Sequence, residues 1–497
     1  MKILQVGGSK INEDELDSEY ELEYVDQLNF EDDELWQYGL ILILCPLPEI
    51  VTELDLFENL LMQTKIMYAS DQIDLKIFPE LERFEGTTLF SFNSDELSHM
   101  ISEINSFFYG GQHGGGKQRI TNVIFNDNEN LTYNGNANVY IDLSDNRNSK
   151  EIIGTWKYGF PIQKAREYSF WPEFKLFGNA ELEYKFYVLY DSSTDVKEVI
   201  TLNASDFNEP INFFDTNRSL TVHMTVKVSG DGAVELGHMH YRRRRGKYGT
   251  FLPGDARLVD NTTRQELFYY YSPGNLKPPL NVYFSGYQTA EGFEGYYMML
   301  KQGNPFILIT DPRLDGGVFY RGTENLETQV FDIINGKLKD LQFKKSELTC
   351  IGISMGSYAA LYNAAHLSAG KVILGKPIID LNVVIKNSKL VRPDDFGIIM
   401  DMATYLRRDF SDFAADLPNY IRNNIFEDME FRVAYMKNDD YDSNFEKFID
   451  ATKMKFKNIK KFGYQGKHND NSGAIVQKIR GFLKEDKLKF IDFHGDR

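Results

Sequence analysis

Three patterns of hydrophobic and polar positions follow one another along the chain. Residues 1–110 mix short apolar runs, typical of strands, with a segment of helical periodicity, which predicts a small α/β domain. Residues 118–255 show short alternating runs separated by Asn, Asp and Gly, which predicts an antiparallel β-sandwich. In residues 256–497, strands alternate with helices, as in a mostly parallel sheet with helices on both faces. The predicted fold class is therefore α/β, with a sandwich between two α/β segments.

Two unusual segments border the predicted sandwich. The glycine-dense stretch 110–116 predicts a linker. Four consecutive arginines, residues 242–245, follow the last alternating run of the predicted sandwich. The period of two along a strand would place alternate arginines on opposite faces. We interpret the arginines as a local clamp for a partner's carboxylates or for a polar ligand, with a solvated strand end as the alternative.

Aromatic residues are frequent in the predicted sandwich, namely Trp156, Tyr158, Phe160, Tyr168, Phe170, Trp171 and Phe174. Such rings either fill the core between two sheets or present flat faces to sugars. We favour the core role. Sugar binding is kept as the alternative, so the sandwich is described as carbohydrate-binding-like.

Charge and composition exclude several classes of protein. The 497 residues carry 55 basic and 73 acidic side chains, a net charge of −18, so no nucleic-acid partner is expected. The only two cysteines, Cys45 and Cys350, lie in apolar runs, which fits a reducing compartment without a disulfide framework. No apolar run reaches the ~18 residues of a membrane span, and no signal peptide is expected. We predict a cytoplasmic location, compatible with peripheral attachment to the inner face of the membrane.

Residues 352–356 match the pattern Gly-x-Ser-x-Gly around Ser354. An apolar run precedes the serine and a helix-forming run follows it, which predicts the strand-to-helix elbow that exposes a nucleophilic hydroxyl. Glycines are needed there because a side chain two positions before or after the serine would collide with the neighbouring strand or helix. Ser354 is the candidate nucleophile.

A serine hydroxyl needs a histidine to take its proton and an acid to orient that histidine. His468, in a polar turn after the last predicted strand, is the candidate base. The acid should follow the preceding strand, where we favour Asp440, with Asp439 a close second and Asp442 third.

An oxyanion formed during acyl transfer needs two backbone donors. The Met355 amide is the first candidate, and the backbone of Gly286 and Tyr287, after an earlier predicted strand, is the second. No cluster of residues has metal-ligand spacing, so neither a metal nor a bound cofactor is expected.

Five long strings of residues carry a resemblance to a known family. The chain resembles the second accessory secretory protein of the accessory Sec export pathway of Gram-positive cocci over essentially its full length. These strings are MKILQVGG, ELGHMHYRRRRGKYGTFLPGD, CIGISMGSYAALY, VAYMKNDDYD and GKHNDN.

The resemblance implies an α/β-hydrolase-like domain whose serine triad O-acetylates N-acetylglucosamine on serine-rich-repeat glycoprotein adhesins. Ser354 and His468 match the family's triad, whereas the adjacent acidic residues leave the acid open. The acetyl donor is also open, with acetyl-CoA as a candidate. Assembly with two companion accessory Sec proteins and with the export motor ATPase is implied as well. A non-catalytic export adaptor and a serine esterase are the alternative functions.

Overall fold

The computed structural model describes residues 1–497 except 30–33, 47–52, 127–129, 145–150, 315, 409 and 495–497. The side chains at 36, 94, 394, 396, 410, 412 and 486–494 also lie outside the description. Three β-sheets organise the described chain, and they follow one another in the order of the sequence.

The first sheet is parallel throughout and has the strand order β2-β1-β3-β4-β5. Its central strands are apolar on both faces because helices and loops cover them. The elements are β1 (Lys2–Val6), β2 (Glu21–Val25), β3 (Leu40–Ile43), α1 (Leu54–Leu61), β4 (Ile66–Ala69), β5 (Leu89–Phe92) and α2 (Leu97–Phe107).

The second sheet has ten strands, all paired antiparallel, and folds over on itself. Its strands are β6 (Gly116–Gln118), β7 (Val123–Phe125), β8 (Leu131–Asn134), β9 (Asn138–Asp142), β10 (Ile152–Trp156), β11 (Phe160–Ile162), β12 (Tyr168–Tyr190), β13 (Val196–Asn203), β14 (Ile211–Phe213) and β15 (Leu220–Arg243).

The long pair β12 and β15 contributes to both layers of this sandwich. Phe170 and Phe186, at the two ends of β12, meet across the core with ring centroids 6.0 Å apart. Gly232 lies on β15, opposite Gly178 in the middle of β12. It has φ 134°, and a Cβ there would lie 2.1 Å from the Phe177 carbonyl oxygen. Glycine at this bend lets two strands cross from one layer to the other.

The third sheet has eight strands in the order β16-β17-β19-β18-β20-β21-β22-β23, and its last six are mutually parallel. The strands are β16 (Asp255–Val259), β17 (Glu266–Ser272), β18 (Leu280–Phe284), β19 (Phe306–Thr310), β20 (Leu348–Ile353), β21 (Lys371–Gly375), β22 (Phe426–Met436) and β23 (Phe456–Tyr464). The helices are α3 (Tyr296–Leu300), α4 (Glu324–Asp340), α5 (Met355–Leu367), α6 (Leu381–Val391), α7 (Pro393–Leu406), α8 (Phe410–Asn423), α9 (Phe445–Thr452) and α10 (Ser472–His494).

Alternate residues of the third sheet enter two separate apolar cores. In β20, Cys350 belongs to the core on one face, whereas Ile351 belongs to the core on the other. A mostly parallel sheet buried on both faces is the α/β architecture that the sequence predicts, and its topology is α/β-hydrolase-like. The fold-class prediction is confirmed, including the sandwich and the small N-terminal α/β segment.

Arg242, Arg243 and Arg245 are buried where the sandwich meets the other two parts of the chain, whereas Arg244 is partly exposed. The prediction of a clamp for a partner or a ligand is wrong, because the partners lie in this chain, and a solvated strand end is wrong for the three buried arginines. Arg242 forms ion pairs with Glu266, at the start of β17, and with Glu291, in the loop between β18 and α3. Arg245 donates to the backbone carbonyls of Tyr109 at 3.0 Å and Phe251 at 3.1 Å, among others. The arginines therefore clamp the chain to itself.

The predicted linker is also part of this junction. Gly115 exchanges two backbone hydrogen bonds with Glu291, of 3.0 and 3.1 Å. A Cβ at Gly115 would lie 2.6 Å from Cγ of Arg242, so glycine is needed for close approach rather than for flexibility.

Most of the sandwich aromatics that we singled out are core residues. Trp156, Phe160, Phe170, Trp171 and Phe174 are all buried, and they pack in one apolar cluster. Tyr168 is partly buried against the same cluster, whereas Tyr158 is 61% exposed. The core role is therefore confirmed for all of these rings except Tyr158.

Candidate active site

Five neighbouring strands of the third sheet place their following loops at one edge. In the order β18-β20-β21-β22-β23, these loops carry Gly286, Ser354, Lys376, Asp439 and His468. Because all five strands run in the same direction, residues far apart in sequence meet at their carboxyl ends.

Ser354 lies at a sharp turn between β20 and α5. Its backbone has φ 55° and ψ −123°, a strained conformation for a residue with a side chain. A Cβ on Gly352 would lie 2.0 Å from the Gly356 carbonyl oxygen, and one on Gly356 would lie 2.1 Å from that of Phe284. The flanking glycines therefore make the turn sterically possible, for the reason given from the sequence.

The side chains of Ser354, His468 and Asp439 form a continuous chain of hydrogen bonds. Oγ of Ser354 lies 2.8 Å from Nε2 of His468. Nδ1 of His468 lies 2.9 Å from Oδ2 and 3.1 Å from Oδ1 of Asp439. Since a carboxylate only accepts, Nδ1 carries the proton and Nε2 is free to accept from the serine hydroxyl. The histidine and the aspartate are buried, whereas the serine is partly exposed.

The prediction that Asp440 faces the histidine ring is wrong. Oδ1 of Asp440 accepts a hydrogen bond of 2.9 Å from the backbone amide of His468, and Oδ2 pairs with Arg392 at 3.0 Å. Burial raises the pKa of Asp440, but these two partners outweigh burial and hold it below its usual value. Asp440 thus anchors the turn that carries the histidine, while Asp439 contacts the ring.

The local turn explains why adjacent aspartates point in different directions. The amide of Tyr441 donates to Oδ1 of Asp439 at 2.8 Å, so the chain wraps around this carboxylate. Asp442, the third choice from the sequence, accepts from the amides of Ile379 and Asp380 at 2.9 and 3.0 Å. Burial raises the pKa of Asp442 to about 6, and its role is to join two loops.

The three backbone amides predicted as oxyanion donors differ in their hydrogen bonding and exposure. The Met355 amide is at the first position of α5 and has no acceptor within its helix. The Gly286 amide already donates to Oε2 of Glu294 at 2.7 Å, so it is engaged in this structure. Tyr287 is half-exposed and lines the same cavity as Ser354, which leaves its amide as the second candidate.

Sequence reasoning missed two charged residues beside Ser354. Glu294 is partly buried, and burial raises its pKa although the Gly286 amide opposes this effect. Lys376 is 4% exposed and donates to Oγ of Ser472 at 2.7 Å, while burial lowers its pKa. The position of Lys376 directly after a strand of the parallel sheet was a usable signal. Glu294, ten residues after its strand, offered none.

A cavity of about 760 Å³ opens over Ser354 and His468. Its wall includes Glu294, Lys376 and the tyrosines Tyr296 and Tyr297. This volume lies within the range of small-molecule sites. Ionisable and aromatic groups around the Ser354 hydroxyl suit a polar molecule with a flat apolar face.

Metal-ligand clusters and membrane-spanning helices were sought in the described residues. No group of three or more His, Cys, Asp or Glu there could hold a metal ion. No helix in that part of the chain is both long and apolar enough to cross a membrane.

Comparison with known proteins identifies the family. The profile of the accessory Sec system GspB-transporter family matches residues 1–486. An accessory Sec system protein of Staphylococcus aureus is 33% identical over 407 residues, which is 80% of this chain and 77% of the relative. One from Streptococcus gordonii is 29% identical over 438 residues, covering 86% and 85% of the two chains.

A solved structure is similar along nearly the whole length. It is the Glycosylation Associate Protein (Gap123) complex from Streptococcus agalactiae, and the similar chain is 29% identical with a TM-score of 0.78. The similarity covers 98% of this chain and 97% of that one. On the match to almost all of its residues, this chain belongs to the accessory Sec system GspB-transporter family.

Proposed function

We propose that this chain is a serine-dependent O-acetyltransferase that acetylates N-acetylglucosamine on serine-rich-repeat adhesins. The observation that carries the proposal is the hydrogen-bonded chain of Ser354, His468 and Asp439 at the floor of an open cavity. The family resemblance supplies the substrate, since the geometry by itself supports only acyl transfer.

In the first half-reaction, Ser354 takes the acetyl group from a donor. Nε2 of His468 accepts the hydroxyl proton as Oγ attacks the acetyl carbonyl, and the amides of Met355 and Tyr287 stabilise the oxyanion. Asp439 holds the imidazole in the required tautomer and stabilises its positive charge. The bond to the donor's leaving group then breaks, and His468 returns the proton to that group.

In the second half-reaction, a sugar hydroxyl takes the acetyl group. His468 removes the hydroxyl proton, the sugar oxygen attacks the serine ester, and Oγ of Ser354 leaves with the proton. Water could attack the same ester, so transfer depends on the acceptor excluding water from the cavity. Tyr296 and Tyr297 lie in the cavity wall, where their rings can cover the apolar face of a sugar.

Labelling with a fluorophosphonate tests the nucleophile. We expect the reagent to modify Ser354 in the wild-type chain and to leave Ser354→Ala unmodified, with a thermal transition close to that of wild type. Ser193→Ala, which removes a hydroxyl from the sandwich surface, is the matched control and should label normally. Equal labelling of Ser354→Ala would refute the assignment.

We further propose that the chain assembles with companion accessory Sec proteins and the export motor at the cytoplasmic face of the membrane. The similar chain of the Gap123 complex supports such an assembly. Ser354→Ala removes one oxygen at a partly exposed turn, so assembly and adhesin export should persist while the exported glycans lose acetyl groups. Glycan mass and surface adhesin, measured in the same cells, test this separation. Loss of export with the assembly intact would contradict it.

A further inference from the structure

A second cavity of about 710 Å³ lies between the N-terminal sheet and helix α3. Tyr296 and Tyr297 line both this cavity and the one over Ser354. The two rings meet edge to face, with centroids 5.2 Å apart. A molecule in the second cavity therefore lies directly across this tyrosine pair from the candidate active site.

The charges around the second cavity are unlike those of the chain as a whole. The chain has a net charge of −18, yet the described lining contains Lys65 and Lys301 and no carboxylate. The remaining polar groups of the lining are amides and hydroxyls, such as those of Asn59, Gln63 and Thr64. This cavity is therefore electropositive in an acidic protein.

Lys65 lacks a counter-charge. Within the described part of the chain, its ammonium has neither a hydrogen-bond acceptor nor an ion-pair partner. Burial lowers the pKa of Lys65 to about 7, and the nearby Arg245 guanidinium acts in the same direction. Arg245 donates its hydrogen bonds to backbone carbonyls, and among the described residues it forms no ion pair with a carboxylate. Lys65 is partly buried, and a bound anion would supply the counter-charge that its ammonium lacks.

We propose that this second cavity binds the phosphate-bearing part of the acetyl donor, with Lys65 contacting a phosphate. The reaction assigned to this part of the molecule rests on the function proposed above. A serine hydroxyl needs an activated acetyl group, and an acetyl thioester of coenzyme A carries one at the end of a long arm that bears phosphates. A long arm is required because the tyrosine pair separates the second cavity from Ser354. The acetyl C–S bond breaks as the serine ester forms, and the thiol leaves with the proton from His468.

Isothermal titration calorimetry on the full-length chain tests the site with two separate probes, coenzyme A and acetyl phosphate. We expect coenzyme A to bind, and Lys65→Gln to weaken its binding about tenfold or more. Lys76→Gln, an exposed change in the same N-terminal sheet region, is the control and should bind like wild type. Binding of coenzyme A identifies a thioester donor, whereas binding of acetyl phosphate alone would show a phosphate site that cannot deliver an acetyl group to Ser354 and would overturn the donor role. Absence of binding, or equal binding by Lys65→Gln, overturns the proposal.

A measurement on the wild-type chain guards against misfolding of the variant. An amine reagent such as acetic anhydride should modify Lys65 readily, because an amine of lowered pKa is largely neutral near pH 8. The bound probe should protect Lys65 but not Lys76, as read by mass spectrometry. Unprotected Lys65 at saturating probe contradicts the site.

Fluorophosphonate labelling of the same samples separates the two proposals. Labelling of Ser354 without binding of either probe leaves the nucleophile standing and rejects the donor site. Binding that depends on Lys65 without labelling of Ser354 leaves a phosphate site standing and rejects the acyl-transfer function.

Discussion

Two buried histidines in this molecule each contact carboxylates, yet their surroundings differ in one respect. His468 has Asp439 on Nδ1 and the Ser354 hydroxyl on Nε2, beside an open cavity. His240 has Glu291 on Nδ1 at 2.7 Å and Glu173 on Nε2 at 3.1 Å, and it is completely buried. One ring is therefore left with a nitrogen that can accept a proton, and the other is not.

The second carboxylate changes the chemistry of His240. Burial lowers its pKa, but Glu291 and Glu173 outweigh burial and raise the pKa above its usual value. A ring that donates from both nitrogens is an imidazolium, which joins the sandwich to the third sheet rather than moving protons. A carboxylate beside a histidine does not by itself indicate catalysis. The partner of the second ring nitrogen decides whether that nitrogen can accept a proton.

Exchanging each histidine for alanine should separate the two roles most clearly. His468→Ala should lower fluorophosphonate labelling and acyl transfer by roughly four to six orders of magnitude while the fold persists. His240→Ala should leave two buried carboxylates without their cation and cost about 3–5 kcal/mol of unfolding free energy. Labelling per folded molecule and chemical denaturation, measured on both variants, check this. A stable but unreactive His240→Ala would undermine the comparison.

The two adjacent aspartates provide the next test. Asp439→Asn should lower turnover by roughly 10⁴, because an amide stabilises the wrong tautomer of His468. Asp440→Asn keeps an oxygen for the His468 amide, so its turnover should stay within about tenfold of wild type. Steady-state kinetics on both purified variants decide between them. The reverse order of damage would restore Asp440 as the orienting acid.

The ion network around His240 should also give a pH window of stability. The Arg242 and His240 charges outweigh burial and hold the pKa of Glu291 at about 2, so its contribution is present above pH 4.5 and is lost as the pH falls toward 2. The contribution of His240 to the free energy of unfolding is complete below pH 6.5 and is lost as the pH rises through its raised pKa. Glu291→Gln should cost about 3 kcal/mol, with the largest loss between pH 4.5 and 6.5. A difference in melting temperature that does not vary with pH would contradict this.

The smallest effect is expected at Tyr405, whose hydroxyl donates to Oε1 of Glu173 at 2.8 Å. Tyr405→Phe should cost about 1–2 kcal/mol because Glu173 keeps His240 as a partner. Labelling of Ser354 should not change. Denaturation of this variant beside wild type measures the cost, and a loss as large as that of His240→Ala would show that the hydroxyl matters as much as the cation.

The fold and the strand-to-helix turn at Ser354 were accessible from sequence because each depends on local pattern. The apolar run before Ser354 predicted strand β20, and the glycines around Ser354 report a steric requirement within five residues. His468 followed from the order of elements along the chain. These signals need no knowledge of distant partners.

The acid and the arginines depend on geometry that no local pattern carries. Asp439 and Asp440 are chemically identical neighbours, and the dihedral path of one turn decides which of them faces the ring. The arginines at 242–245 were misread because Glu266 and Glu291 lie many residues further along the chain. Hydrogen bonding of Glu294 to Gly286 was invisible for the same reason.

The burial of Arg242 and Arg245 limits how the three parts of this protein can be separated or exchanged. Arg242 pairs with Glu266 and Glu291, and Arg245 donates to carbonyls on both sides of the sandwich. A recombination event that removed or exchanged the sandwich would leave buried carboxylates without Arg242 on one side and carbonyls without a donor on the other. We therefore expect natural lineages to retain all three parts together, and laboratory dissection to succeed by single substitutions where excision of the sandwich fails.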